Sequence, residues 1–388
     1  MLKLIKNGTI LTPKGLIKAD ILICNDKIIG INSSITTSNL KLPCEELDAS
    51  NQFVLPGIID QHVHLIGGGG ESGFSSRTPE VQVSKLVKAG ITSVLGLLGT
   101  DSATRHVESL YAKVKALDEE GISAYMVTGS YRVPSPTITD SVYKDVVFID
   151  KVLGCKIAIA DHRASHLSVE ELIRIASEVR VASMLANKPG IIVVHMGNSK
   201  ETLKLIDQAL ENSDIPIKHF LPTHVNRNDN LLNDAIKFAL KGGSIDLTSG
   251  VDPNLGAKGA VNPSKAIIQA LEAGVNLDQL TLSSDGNGSI PEFDDNGNMS
   301  GMGIAGFDSL LGTIRELIAA GLPLEKSWNT VSSNVASRLK LDDRGCLEIN
   351  QMADLVFLNE ADLALTLTMA KGKVLFKQNE YCVKGTFE

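Results

Sequence analysis

Eight short apolar runs recur between residues 53 and 283, and amphipathic segments separate most of them. The runs are Phe53–Ile59, Ile91–Leu98, Ile122–Thr128, Cys155–Ala160, Ile191–Val194, Phe220–Thr223, Ser244–Thr248 and Leu280–Ser283. The segments Pro79–Ala89, Arg105–Glu120, Val142–Leu153, Ser168–Val179, Lys200–Leu210, Leu231–Leu240 and Lys265–Ala273 carry apolar residues three and four apart, the spacing of a helix with one buried face. Gly90, Gly121, Gly190, Gly242 and Gly274 stand just before the next run, where a helix C-cap favours glycine. Eight strands each followed by a helix predict an α/β fold, the (β/α)8 TIM barrel, with roughly 285 residues leaving room for inserted loops. A doubly wound open sheet needs no eightfold repeat, and no G-x-G-x-x-G follows the first run.

The two ends read differently. Leu2–Lys6, Ala19–Ile23 and Lys27–Ile31 alternate as half-buried strands do, with Asn7-Gly8 and Asn25-Asp26 as turns between them. Ala353–Leu358 and Lys373–Phe376 return to this style. The simplest organisation is a small β-sandwich domain formed by both termini, residues 1–55 and 345–388, flanking a barrel over residues 56–344.

Active residues of such a barrel collect where its strands end in the direction of the chain. His62 and His64 close the first run, and two residues apart on a strand they face the same way. The fourth run carries Lys156 and leads to Asp161-His162-Arg163; the fifth leads to His195, the sixth to His224 and Arg227, the eighth to Asp285 and Ser289. Four of the eight histidines therefore meet on one rim together with an aspartate, a donor set suited to Zn²⁺. It exceeds what one tetrahedral catalytic zinc with an open position needs, while a two-metal site calls for a bridging anion. Lys156 is the polar side chain in the fourth run, and carbamylation by CO₂ turns it into such an anion. The pattern alone leaves that open against a lysine that extends its charge out of the barrel. The run Gly67–Gly70 is no P-loop, since no Gly-Lys-Ser/Thr follows, and with Glu71 it reads as backbone approaching a ligand.

A net charge of −8, 4% aromatic residues and no basic block argue against a nucleic-acid partner. No apolar run of about 18 residues suggests a membrane span. The five cysteines are scattered without a C-x-x-C, and with no apolar leader at the start they place the chain in the cytoplasm.

His62-Val63-His64 after Pro56-Gly57-Ile58-Ile59-Asp60, with Lys156, His195, His224 and Asp285 at later strand ends, resembles the amidohydrolase superfamily. Asp60–Glu71, Gly96–Asp101, Thr223–Asn228 and Leu282–Ser289 narrow the resemblance to its bacterial isoaspartyl dipeptidases, while Arg132 and Ala164–Leu167 are less typical. The resemblance implies two Zn²⁺ per subunit held by His62, His64, Lys156, His195, His224 and Asp285, bridged by N6-carboxylysine at Lys156 and a hydroxide. It implies catalytic roles for Asp285 as general base and acid and for Tyr131 as oxyanion donor. Glu71, Gly69, Thr100, Tyr131, Arg163, Arg227 and Ser289 are the implied contacts to a β-Asp-X dipeptide, and a homo-oligomer is expected. Dihydroorotase or hydantoinase activity on cyclic amides shares the metal site and is the alternative, disfavoured by the glycine loop with Glu71 and by the paired arginines. A barrel that had lost its metal, a non-catalytic scaffold, is at odds with six retained ligands.

Overall fold

A computed structural model describes residues 1–36, 42–293 and 299–388. The middle of the chain closes a barrel of eight parallel strands, β1 (Ile58–Val63), β2 (Ile91–Gly96), β3 (Ser123–Gly129), β4 (Val152–Ile159), β5 (Ile191–Met196), β6 (Phe220–Thr223), β7 (Ile245–Thr248) and β8 (Leu280–Ser283), paired in chain order. Closure between β8 and β1 runs just past β8, where Val63 bridges Gly286 in parallel register and the His64 N–H donates to the Gly286 carbonyl at 3.0 Å. That seam brings His64 and Asp285 side by side.

All eight apolar runs contribute to barrel strands, with two shifts. Phe53–Ile59 divides at Gly57. Gln52–Pro56 belongs to the sheet of the termini, and the barrel begins at Ile58. The helix expected over Val142–Leu153 stops at Phe148, because Val152 and Leu153 are buried at the start of β4. Among the expected caps, Gly121 ends its helix directly, whereas the helix Val169–Ala186 ends on left-handed Asn187 and Gly190 follows it. After β8 come an antiparallel hairpin, Ser289–Phe293 with Met299–Ile304, and the helices Ser309–Ala319, Leu324–Asn329 and Ser333–Leu339.

Nine strands from both termini form a second, mixed sheet. Gln52–Pro56 is its central link, parallel to Leu2–Thr12 on one side and antiparallel to Leu355–Asn359 on the other. The sheet curls until Lys27 bridges Met352, making a small sandwich around Ile5, Ile21, Ile28, Val54, Phe357 and Met369.

The barrel interior is layered. At the end where the strands start, Val335, Leu339 and Leu341 plug it against Ile59, Leu95, Val193 and Leu221. A polar layer lies above the plug. Asp246 on β7 accepts from Gln61 Nε2 at 2.7 Å, Thr281 Oγ1 at 2.9 Å, Thr223 Oγ1 at 2.9 Å and Ser283 Oγ at 2.6 Å. Burial pushes its carboxyl up to about 6, against those four hydrogen bonds. The candidate site occupies the opposite end, on this polar floor.

Candidate metal centre and substrate cavity

Buried side chains from five strand ends converge above that floor. His62, Lys156, His195 and His224 are at most 2% exposed. Imidazole rings of His62 and His224 lie 4.7 Å apart between centroids, and those of His195 and His224 4.8 Å. Asp285 reaches into the cluster from the β8 loop, with Oδ1 3.1 Å from His64 Nε2 and 3.6 Å from His62 Nε2, and Oδ2 3.8 Å from His224 Nδ1. Donor atoms of His62, His224 and Asp285 all lie within 4.8 Å of one another, a spacing one metal ion spans. Lys156 Nζ is 3.1 Å from His62 Nε2.

The imidazoles of His62 and His224 are oriented from behind. Thr223 Oγ1 lies 3.2 Å from His62 Nδ1 and also donates to Asp246, which ties the ligand layer to the polar floor. Thr248 Oγ1 lies 2.7 Å from His224 Nδ1. Asp60 accepts from the His62 and Ser284 N–H groups at 3.2 Å, holding the first and last strand ends together. Such contacts behind a ligand set its tautomer and ring angle.

His195 is held differently from these two. Its Nδ1 is 2.5 Å from Tyr131 Oη and its Nε2 is 2.9 Å from Asp161 Oδ2, so both ring nitrogens have partners. Asp161 in turn receives Nε and Nη2 of Arg163 at 2.9 and 2.8 Å, and Arg163 Nη1 is 3.3 Å from Glu71 Oε1. Burial alone would raise the Asp161 carboxyl, but the Arg163 and His195 hydrogen bonds hold it far below the usual carboxylate range.

Burial pushes Lys156 down to about 7 and His195 to about 3, and lowers His62 and His224 well below the ordinary imidazole value. It also raises the Tyr131 phenol. For Asp285 burial works upward, yet the surrounding imidazoles and Lys156 bring its carboxyl below the usual range. The result is neutral imidazoles of His62, His195 and His224 around an ionised carboxylate. Among the described residues, Asp285 Oδ1 and His64 Nδ1 are buried without a hydrogen-bond partner. A donor set of this kind, with an orphaned carboxylate oxygen at its centre, fits a divalent metal.

A cavity of about 580 Å³ opens over the cluster. Its lining includes every residue expected to touch substrate: Gly69, Glu71, Thr100, Tyr131, Arg163, Arg227 and Ser289. Thr100 Oγ1 donates to Glu71 Oε1 at 3.1 Å. The two arginines are not equivalent. Arg163 is engaged with Asp161 and Glu71, whereas among the described residues the buried Nε of Arg227 has no partner. Sequence reasoning passed over Asp246, Thr223 and Thr248 as supports. An aspartate inside the apolar run Ser244–Thr248 was the available signal.

A sequence model of the amidohydrolase family matches residues 53–375, from the sheet of the termini through the whole barrel. The chain belongs to that family. Among solved structures, this amidohydrolase is similar to the β-aspartyl dipeptidase of Fervidobacterium islandicum AW-1 in complex with a β-Asp-Leu dipeptide. The TM-score is 0.90 and the identity 39%, over 98% of each chain. The D-hydantoinase of a Thermus species shares the fold, with a TM-score of 0.69 at 17% identity over 99% of this chain and 97% of that one. A dihydroorotase of Halalkalibacterium halodurans is 30% identical over 125 residues, a stretch that covers 31% of this chain and 27% of the relative.

Proposed function

We propose that this amidohydrolase is a two-zinc isoaspartyl dipeptidase, cleaving the amide between the β-carboxyl of isoaspartate and the residue that follows. The observation that carries most of the reading is the 39% identity to a β-aspartyl dipeptidase over 98% of both chains, with the charged cavity above the histidine cluster. His62, His64 and Asp285 would hold one ion and His195 and His224 the other, with carboxylated Lys156 between them; when bound, the ions supply a hydroxide nucleophile near neutral pH and polarise the scissile carbonyl. For His195 to serve, its contact with Asp161 or Tyr131 has to open. With its pKa at about 7, Lys156 offers a neutral amine to CO₂. The new N–C bond forms as one proton leaves the nitrogen.

The remaining chemistry belongs to the chain's own side chains. Asp285 stays ionised, so its carboxylate accepts the proton carried by the hydroxide nucleophile and passes it to the leaving amine nitrogen. Tyr131 stays protonated, so Oη donates to the carbonyl oxygen as charge develops there. Glu71 takes the substrate α-amine, with Thr100, Gly69 and Ser289 around it. Arg227 has guanidinium capacity free for a carboxylate, and Arg163 couples the carboxylate side to Glu71.

The five cysteines are free and, among the described residues, no helix is long and apolar enough to cross a membrane. The free cysteines support a cytoplasmic enzyme. Comparing kcat/KM for β-Asp-Leu, dihydroorotate and hydantoin, with zinc and bicarbonate present, tests the reading. Preference for β-Asp-Leu is expected; turnover of a cyclic amide instead would keep the metal centre and overturn the roles of Glu71 and Arg227.

A further inference from the structure

Arg105 lies just before the helix Val107–Glu120, among the residues lining the cavity, and is 7% exposed. Among the described residues it has no carboxylate within hydrogen-bonding distance; Asp101 Oδ2 is 4.0 Å from Nε, which has no hydrogen-bond partner there. Its terminal nitrogens go to backbone instead. Nη1 donates to the Ile66 carbonyl, and Nη2 to the carbonyls of Gly68 at 2.8 Å and Thr78 at 3.0 Å. One planar guanidinium thus spans the glycine loop and the strand of chain that returns beneath it.

The loop depends on such ties because of its own geometry. Gly67 and Gly69 have φ of +84° and +76°, and a Cβ on them would stand 2.2 Å from the Thr78 carbonyl and 2.4 Å from the Ser76 carbonyl. The backbone therefore lies close against residues 76–78 in a conformation that glycine adopts without strain. Thr78 supplies a second tie. Its Oγ1 accepts from the Gly68 N–H at 2.7 Å and donates to the Asn287 carbonyl at 2.8 Å, two residues beyond Asp285.

We propose that Arg105 is a positioning residue for the substrate-amine subsite: by clasping the Ile66, Gly68 and Thr78 carbonyls it sets where Gly69 and Glu71 meet the α-amine. This rests on the dipeptidase reading and deepens it. A lysine cannot replace the clasp, because an ammonium concentrates its donors at one point while a guanidinium presents a fixed planar fork.

The test uses two ligands that differ only by that amine. N-succinyl-leucine is β-Asp-Leu with hydrogen in place of the amino group. For zinc-loaded wild type, Arg105→Lys and Glu71→Gln, kcat and KM are measured with β-Asp-Leu. N-succinyl-leucine is followed by turnover or, where that is too slow, by its Ki against β-Asp-Leu. Arg105→Lys is expected to raise KM for β-Asp-Leu about tenfold, the scale of a charged hydrogen bond put out of register, with kcat within about threefold. The constant for N-succinyl-leucine should barely move, so discrimination collapses as it does in Glu71→Gln. Equal losses for both ligands, or unchanged discrimination, would overturn the proposal and leave Arg105 a structural residue. Should Arg105→Lys not fold, Thr78→Val removes the second tie to the same loop and decides by the same ratio. Wild type inactive on β-Asp-Leu would overturn the dipeptidase reading itself, and this proposal with it.

Discussion

Nζ of Lys156 lies 3.1 Å from Nε2 of His62, and both side chains are fully enclosed by the barrel. Two cations at that distance without water would repel strongly. Burial lowers both groups, and the neighbouring Lys156 charge lowers His62 further. The arrangement makes sense when neither carries a proton, the condition under which an imidazole binds metal and an amine adds CO₂.

Lys156→Met keeps the length and apolar bulk of the side chain and removes the nitrogen. Zinc content should fall from two ions per chain to one or fewer, and kcat by at least about 100-fold, since even outer partners of metal ligands are worth 10–100-fold. Atomic emission on the dialysed variant reads the first, and β-Asp-Leu turnover the second. Two tightly held zinc ions in this variant would remove Lys156 from the centre.

Asp285→Asn preserves shape and removes the proton acceptor at the closure seam. The expected loss in kcat is about 10²–10⁴-fold, the range of general acid–base catalysis, with KM little changed. Metal content measured alongside separates the proton role from the ligand role.

Arg227→Met addresses the freer of the two cavity arginines. A lost charged hydrogen bond predicts a fall of about 10–100-fold in kcat/KM, mostly through KM, with zinc intact. Steady-state kinetics across β-Asp-Leu concentrations checks it.

The barrel was legible because a strand buried on both faces reads as an apolar run and a half-buried helix as a period of three and four. His62, His64, His195, His224 and Asp285 were legible for the same reason, each standing where such a run gives out. The division at Gly57 was hidden, since residues 54–56 and Ile58–Val63 are both buried and hydrophobicity does not say which sheet a strand joins. Partnerships across sequence were hidden too. That Arg163 pairs with Asp161 while Arg227 keeps a nitrogen free depends on which loops face each other. Arg105 clasps carbonyls, and carbonyls leave no trace in side-chain identity.

Asp118 pairs with Lys151 within the barrel and, at 3.3 Å, with Lys371 of the sheet of the termini. Burial alone would raise its carboxyl, but the two lysines bring it below its ordinary value. A depressed folded-state pKa contributes stability that is fully present above the unfolded value of about 3.9 and is lost as pH falls through the folded value. Asp118→Asn should therefore lower the denaturation midpoint of metal-free protein at pH 7, and the gap from wild type should narrow below about pH 4. A gap that stays constant with pH would mean the ion pairs contribute nothing measurable.

The most direct measurement compares hydrolysis of β-Asp-Leu and α-Asp-Leu by the zinc-loaded protein before and after chelation. Cleavage of the β-linked isomer alone, abolished by chelation and restored by zinc with bicarbonate, is the predicted result. Equal cleavage of both isomers, or β-cleavage that persists without metal, would contradict a metal-dependent dipeptidase built on Lys156, Asp285 and four histidines.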